Sequence, residues 1–185
     1  MISDNDRSGW IGASDTAFVV GNWKTKTFEK WWLQKLGVST DHFENRFTLA
    51  GTNWEHRILE ILGVPGMVLD RQILIPELRL RVNLDGDDGY RDFECKTYQH
   101  CKGWRTPTKY IQQVQVQLFG SGLKAAEIVA YGLTEPDYDN YLRDIDPGRL
   151  REIPVSYDPR WIEKTYLPKL RILAKCLTEG RFPYV

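Results

Sequence analysis

The segment from Leu78 to Thr97 constrains the fold more than any other part of the chain. Leu78, Leu80, Val82 and Leu84 alternate with Arg79, Arg81, Asn83 and Asp85, and this period of two predicts a half-buried strand over 78–85. Gly86-Asp87-Asp88-Gly89 supplies hairpin turn chemistry, and 90–97 predicts the returning strand. A hairpin alone cannot bury a core, so the rest of the chain must cover it. The 67–75 segment predicts a strand before it, and 127–133 and 153–157 predict strands after it. Helices are predicted from Ser14, as N-cap, through Val20, and over 27–36, 41–62, 106–119 and 159–177. With 185 residues, 42% of them hydrophobic, one domain spanning 1–185 can enclose these elements. The order predicts an α/β fold, a central mixed β-sheet flanked by helices.

Some functional classes are excluded at this level. No apolar run approaches the ~20 residues of a membrane span, so no membrane partner is expected. Met1 to Asp6 is acidic and polar, unlike a secretion or transit signal. Three cysteines without a CxxC pair predict no disulfide framework and a reducing, cytoplasmic setting. They are also too few for a four-cysteine iron–sulfur cluster, and Cys95, His100 and Cys101 lack a nearby fourth zinc ligand. The formal net charge of 0 argues against coating nucleic acid through bulk charge. The charges are nevertheless segregated. No carboxylate lies between Cys95 and Ala126, where Lys96, Lys102, Arg105, Lys109 and Lys124 fall, whereas 127–158 is rich in acids. One local basic surface, or simply a solvated charged helix, follows.

Glu94 and Lys96 are two residues apart, so both leave one face of the returning strand, with Phe93 and Cys95 on the other. An acid and a lysine opposite Asp85 on the neighbouring strand can hold a divalent cation. Two carboxylates and a backbone carbonyl are hard oxygen donors that suit Mg²⁺, with Mn²⁺ able to substitute. Such an ion lowers the pKa of bound water and offsets charge at phosphorus, and a lysine beside it orients or deprotonates that water. The alternatives are a salt-bridged hairpin, Glu94 pairing with Lys96 or Arg79, and a calcium-type loop. The loop is disfavoured because Lys96 stands where its closing acid belongs.

Asp85…Glu94-Cys95-Lys96 resembles the PD-(D/E)XK nuclease motif, and four flanking blocks resemble the branch containing phage lambda exonuclease and YqaJ-like viral recombinases. These blocks are Arg7 to Asp15, Gly51-Thr52-Asn53-Trp54-Glu55, Tyr110-Ile111-Gln112-Gln113-Val114-Gln115-Val116-Gln117, and Gly180-Arg181-Phe182-Pro183, in the family's order. The resemblance implies the restriction-endonuclease-like fold and a Mg²⁺-dependent deoxyribonuclease. Its substrate would be linear double-stranded DNA ends, degraded 5′→3′ in recombination or repair. It also implies a homo-oligomeric ring and a single-strand annealing protein as partners.

The resemblance also implies residue roles. Asp85, Glu94 and the Cys95 carbonyl would bind the metal, and Glu55 would serve a second metal position. Lys96 would activate or place the attacking water, and Gln113 would hold that water or the scissile phosphate. Arg7 and Ser14 would bind the 5′ phosphate. Asn83 stands where the family often has a serine. Without the resemblance, Glu55 pairs with Arg57 or Arg46, and Gln113 and Gln117 are surface residues on one helical face. Of Trp31 and Trp32 one is expected to face outward, and Trp23 and Trp104 are the expected DNA contacts. The alternatives to the exonuclease are an endonuclease of the same fold and a non-catalytic DNA-binding module.

Overall fold

The computed structural model describes residues 8–39 and 45–183, so Arg7 and the first residues of the helix expected from position 41 lie outside it. The described chain runs β1 (Ile11–Gly12), α1 (Thr16–Val20), α2 (Lys26–Lys35), α3 (Arg46–Ile61), β2 (Val68–Ile75), β3 (Leu80–Asp87) and β4 (Arg91–Gln99). It continues through α4 (Thr108–Ser121), β5 (Ala125–Leu133), β6 (Leu150–Ser156), α5 (Pro159–Trp161) and α6 (Leu167–Thr178). The expected mixed sheet flanked by helices is present. β4 pairs with β5 in parallel, while β2–β3, β3–β4 and β5–β6 are antiparallel.

The sheet is forked where it matters. One edge of β3 is paired with β2 from Leu80 to Leu84 and again at Gly86 and Asp87. The other edge is shared: β1 takes Leu80 and Arg81, and β4 takes only Gly86 and Asp87. Between them, from Val82 to Asp85, β3 has no strand on that side among the described residues. Backbone groups in such a gap need other partners, and side chains provide them. Asp85 Oδ2 accepts from the Cys95 N–H at 2.8 Å, and Gln117 Nε2 donates to the Asn83 carbonyl at 3.1 Å.

Two apolar layers cover the sheet. Trp54, Ile58 and Leu59 of α3 pack on Phe93, Cys95, Val129 and Tyr131. The other helices bury Trp32, Val114, Leu118, Tyr166 and Leu170 against Leu80, Val82, Leu84 and Ile128. Trp31 and Trp32 are both buried, which corrects the expectation that one faces water. Each indole has its own polar partner, Asp15 for Trp31 and the Arg181 carbonyl for Trp32, so neither needs solvent. Trp23 and Trp104, expected at DNA, pack against the core and donate to the Val19 carbonyl and to Thr106.

Several boundaries shift for local reasons. Strand β3 begins two residues later than the alternation predicts, because Leu78 closes a 3-10 turn and Arg79 is left-handed at φ 48°. It also ends two later, taking Gly86 and Asp87 from the predicted turn. Helix α3 starts at Arg46, where the Asn45 side chain accepts from the Phe47 and Thr48 N–H groups. The expected terminal helix is broken into α5, a π turn at Ile162–Tyr166, and α6. Pro168 has no N–H to offer the carbonyl one turn back, and a π turn absorbs that mismatch.

Candidate active site

The fork opens into a cleft of about 210 Å³. It is lined by Ser14, Glu55, Asp85, Glu94, Lys96 and Gln113, together with Lys35, Arg81 and Asn83. Five elements contribute: the turn before α1, α2, α3, the β3–β4 pair and α4. Glu94 is the anchor, almost fully buried at 1% exposure. A buried carboxylate must be paired or fully hydrogen-bonded, and this one is both. Its Oε1 meets Lys96 Nζ and accepts from Gln113 Nε2 at 2.6 Å, while Oε2 accepts from Gln117 Nε2 at 2.5 Å. Cys95 donates its N–H to Asp85, and burial pushes its thiol well above the usual range.

Burial and neighbouring negative charge work against the charged form of the other two acids. Burial raises the Asp85 pKa well above the ordinary carboxylate value, and the Glu94 charge adds to it. Glu55 is raised for the same two reasons, in the same order. At Lys96 burial acts downward, but Glu94 and Asp85 outweigh it and the net shift is upward. Lys96 is therefore held as an ammonium beside Glu94 and Asp85.

The bland alternatives for these residues do not hold. Arg57 donates to the Tyr141 and Arg143 carbonyls and Arg46 pairs with Glu135, so neither neutralises Glu55. Gln113 and Gln117 are not surface residues, since both grip Glu94. Arg79 donates to Thr178, away from the hairpin. The salt-bridged reading survives in one respect, because Lys96 does pair with Glu94. Ser14 is exposed on the cleft wall but is not an N-cap. The helical segment begins earlier, as a 3-10 turn over Ala13–Asp15, and the Asp15 carboxylate accepts from the Gly12 N–H at 2.8 Å. Arg7 cannot be placed.

Three features were not read from sequence. Gln117 is fully buried and bridges the Asn83 carbonyl to Glu94. Its position one helical turn beyond Gln113 was the available signal. Lys35 forms a buried ion pair with Asp15 at 2.6 Å on the cleft wall, which Arg81 also lines. Glu55 and Lys96 also line a second hollow of about 530 Å³ that carries Phe47, Tyr98, Tyr110 and Tyr138. Replacing Gln117 with leucine should orphan one buried carbonyl and one oxygen of a buried carboxylate. Thermal unfolding should show a loss of about 2 kcal/mol or more. An unchanged melting temperature would mean that the bridge contributes nothing.

No protein-family model matches the chain, and no curated protein matches it. Solved structures do. An alkaline exonuclease, LHK-Exo, from Laribacter hongkongensis is similar with a TM-score of 0.71 and 18% identity, over 94% of this chain and 90% of that one. The same protein in complex with dAMP gives a TM-score of 0.68 and 20% identity, over 95% and 91%. A phage-related exonuclease from Haemophilus somnus 129PT gives 0.63 and 12%, over 92% and 95%. At these identities the likeness speaks for architecture. The mixed sheet and its helical cover share the fold of these exonucleases, as the hairpin motif and its flanking blocks led us to expect.

Proposed function

We propose that this chain is a divalent-metal-dependent deoxyribonuclease, and specifically a Mg²⁺-dependent 5′→3′ exonuclease acting on the ends of linear double-stranded DNA. One observation carries the reading: Glu55, Asp85, Glu94 and Lys96, from three separate elements, surround one cleft at the fork of the sheet. The fold shared with proteins described as exonucleases supports the choice of chemistry.

The residues fit a hard cation. Glu55 accepts no hydrogen bond among the described residues, and the raised pKa values of Glu55 and Asp85 mark a site short of positive charge. Asp85, Glu94 and the Cys95 carbonyl would hold the first ion and Glu55 a second. The bound metal would supply an activated water and charge stabilisation at phosphorus. Lys96, as an ammonium, orients that water and offsets charge on the scissile phosphate. Gln113 holds Glu94 at the bottom of the cleft and presents its amide to the reacting group. Ser14 and Arg81 receive the 5′ phosphate, and Arg7, which lies outside the described residues, is proposed as a further donor. The aromatic hollow beyond Lys96 accepts the bases of the strand being degraded, which stack on Tyr98 and Tyr110. A homo-oligomer enclosing the duplex and a strand-annealing protein that receives the 3′ overhang belong to the same reading.

The test is a Mg²⁺ titration with matched linear and covalently closed duplexes. Mononucleotide release from linear DNA alone is expected, abolished by a chelator. Cutting of closed circles would replace the exonuclease by an endonuclease on the same fold, and binding without cutting would leave a DNA-binding module.

A further inference from the structure

On the flank of the cleft, His56 follows Glu55 on α3 and faces Asp70 on β2, with His56 Nε2 3.0 Å from Asp70 Oδ2. One donor atom each from Glu55, His56 and Asp70 lies within 4.8 Å of the others. Among the described residues no other three His, Cys, Asp or Glu side chains converge so closely, Glu55, Asp85 and Glu94 included. All three are half-buried and reach solvent. Neither His56 nor Asp70 has a part in the chemistry assigned above.

Donor type decides which ion such a group takes. Mg²⁺ favours all-oxygen octahedra, whereas one imidazole and two carboxylates suit Zn²⁺, with water as a fourth ligand. Ligands at Zn²⁺ bond lengths of ~2.1 Å stand about 3.4 Å apart in a tetrahedron. The His56–Asp70 spacing is already close to that, and Glu55 is the member that must swing. Its carboxylate is free to do so, having no hydrogen bond to break among the described residues.

We propose that Glu55, His56 and Asp70 form an inhibitory Zn²⁺ site that draws the Glu55 carboxylate out of the cleft. The binding stands on its own geometry, while the inhibition rests on the nuclease reading. The simpler role of the His56–Asp70 pair, tying α3 to β2, predicts no ion.

The experiment titrates Zn²⁺, and separately Co²⁺, into the metal-free full chain without DNA. Calorimetry should show a Zn²⁺ site that the variants below lose, and Co²⁺ there should show the intense visible bands of a tetrahedral ion. His56→Gln and Asp70→Asn should each weaken Zn²⁺ binding at least about tenfold; melting curves check that both fold. In saturating Mg²⁺, low Zn²⁺ should stop DNA degradation by the parent but not by His56→Gln, whose activity without Zn²⁺ should match the parent's. Zn²⁺ affinity unchanged in both variants would overturn the site. Loss of binding in the variants with no Zn²⁺ inhibition of an active parent would overturn the inhibitory role. A parent that binds Zn²⁺ at these residues yet never cuts DNA would sink the nuclease reading and leave the site standing.

Discussion

Replacing Asp85 with asparagine should abolish cleavage and, in the same protein, raise the melting temperature of the metal-free form. The two effects have one cause. Asp85 sits near Glu94 and Glu55 with Lys96 as the cation among them, and burial and the Glu94 charge lift its pKa well above the ordinary range. A group whose folded pKa is raised stabilises the fold fully below its unfolded value of ~4, and that contribution is lost as pH rises through the folded value. At pH 8 the wild-type chain therefore carries a penalty that asparagine lacks. Asparagine keeps an amide oxygen for the Cys95 N–H, so the fork in the sheet stays bridged. We expect a gain of about 3 °C or more at pH 8, shrinking towards zero at pH 4. Mg²⁺ should raise the melting temperature of the parent and leave the variant unmoved. Activity should fall about 10³-fold, the loss expected when several kcal/mol of charge stabilisation disappears. Scanning calorimetry at the two pH values decides the matter. A variant that melts lower at pH 8 would show that the Cys95 hydrogen bond outweighs the repulsion and that Asp85 is not poised for a cation.

Lys96→Ala should be equally damaging to rate but by a different route. Its ammonium is held charged by Glu94 and Asp85 despite burial, so it acts as donor and counter-charge. Removing it should lower the single-turnover rate on a linear duplex about 10³-fold. Duplex affinity, measured by fluorescence anisotropy without turnover, should change only slightly, because one phosphate contact among many is lost. Cleavage at the parent rate would strike Lys96 from the machinery. A collapse of affinity in step with rate would recast it as a binding residue.

Much of this centre was legible in the sequence because it depends on short spacings. Two residues separate Glu94 from Lys96, and a strand turns that directly into a shared face. Four residues separate Gln113 from Gln117, and a helix does the same. What stayed hidden depends on elements far apart in the chain. That β3 loses its neighbour between β1 and β4 is set by how three strands meet, and no local pattern in Val82 to Asp85 announces it. The role of Gln117 follows only from that gap. Trp31 and Trp32 looked like one inner and one outer residue because adjacent helix positions diverge by about 100°. Phe18 stacks on Trp31 at 4.8 Å from a separate helix, which covers the side that sequence left to water. Ser14 was misread as a cap because Asp15, one residue on, reaches back to Gly12.

The side chains that bridge the divided strand edge have a consequence for how copies of this fold drift over time. Asp85 and Gln117 each satisfy a main-chain group that no neighbouring strand reaches. A descendant that had ceased to cut would still be held by the integrity of its sheet to Gln117 and to an acceptor oxygen at position 85, which asparagine supplies as well as aspartate. Glu55 mends no such break, and the charge of Asp85 works against the fold, so selection on folding would release both. A working copy is thus better told from a silent one by its helix glutamate and by the charge at position 85 than by the buried glutamine.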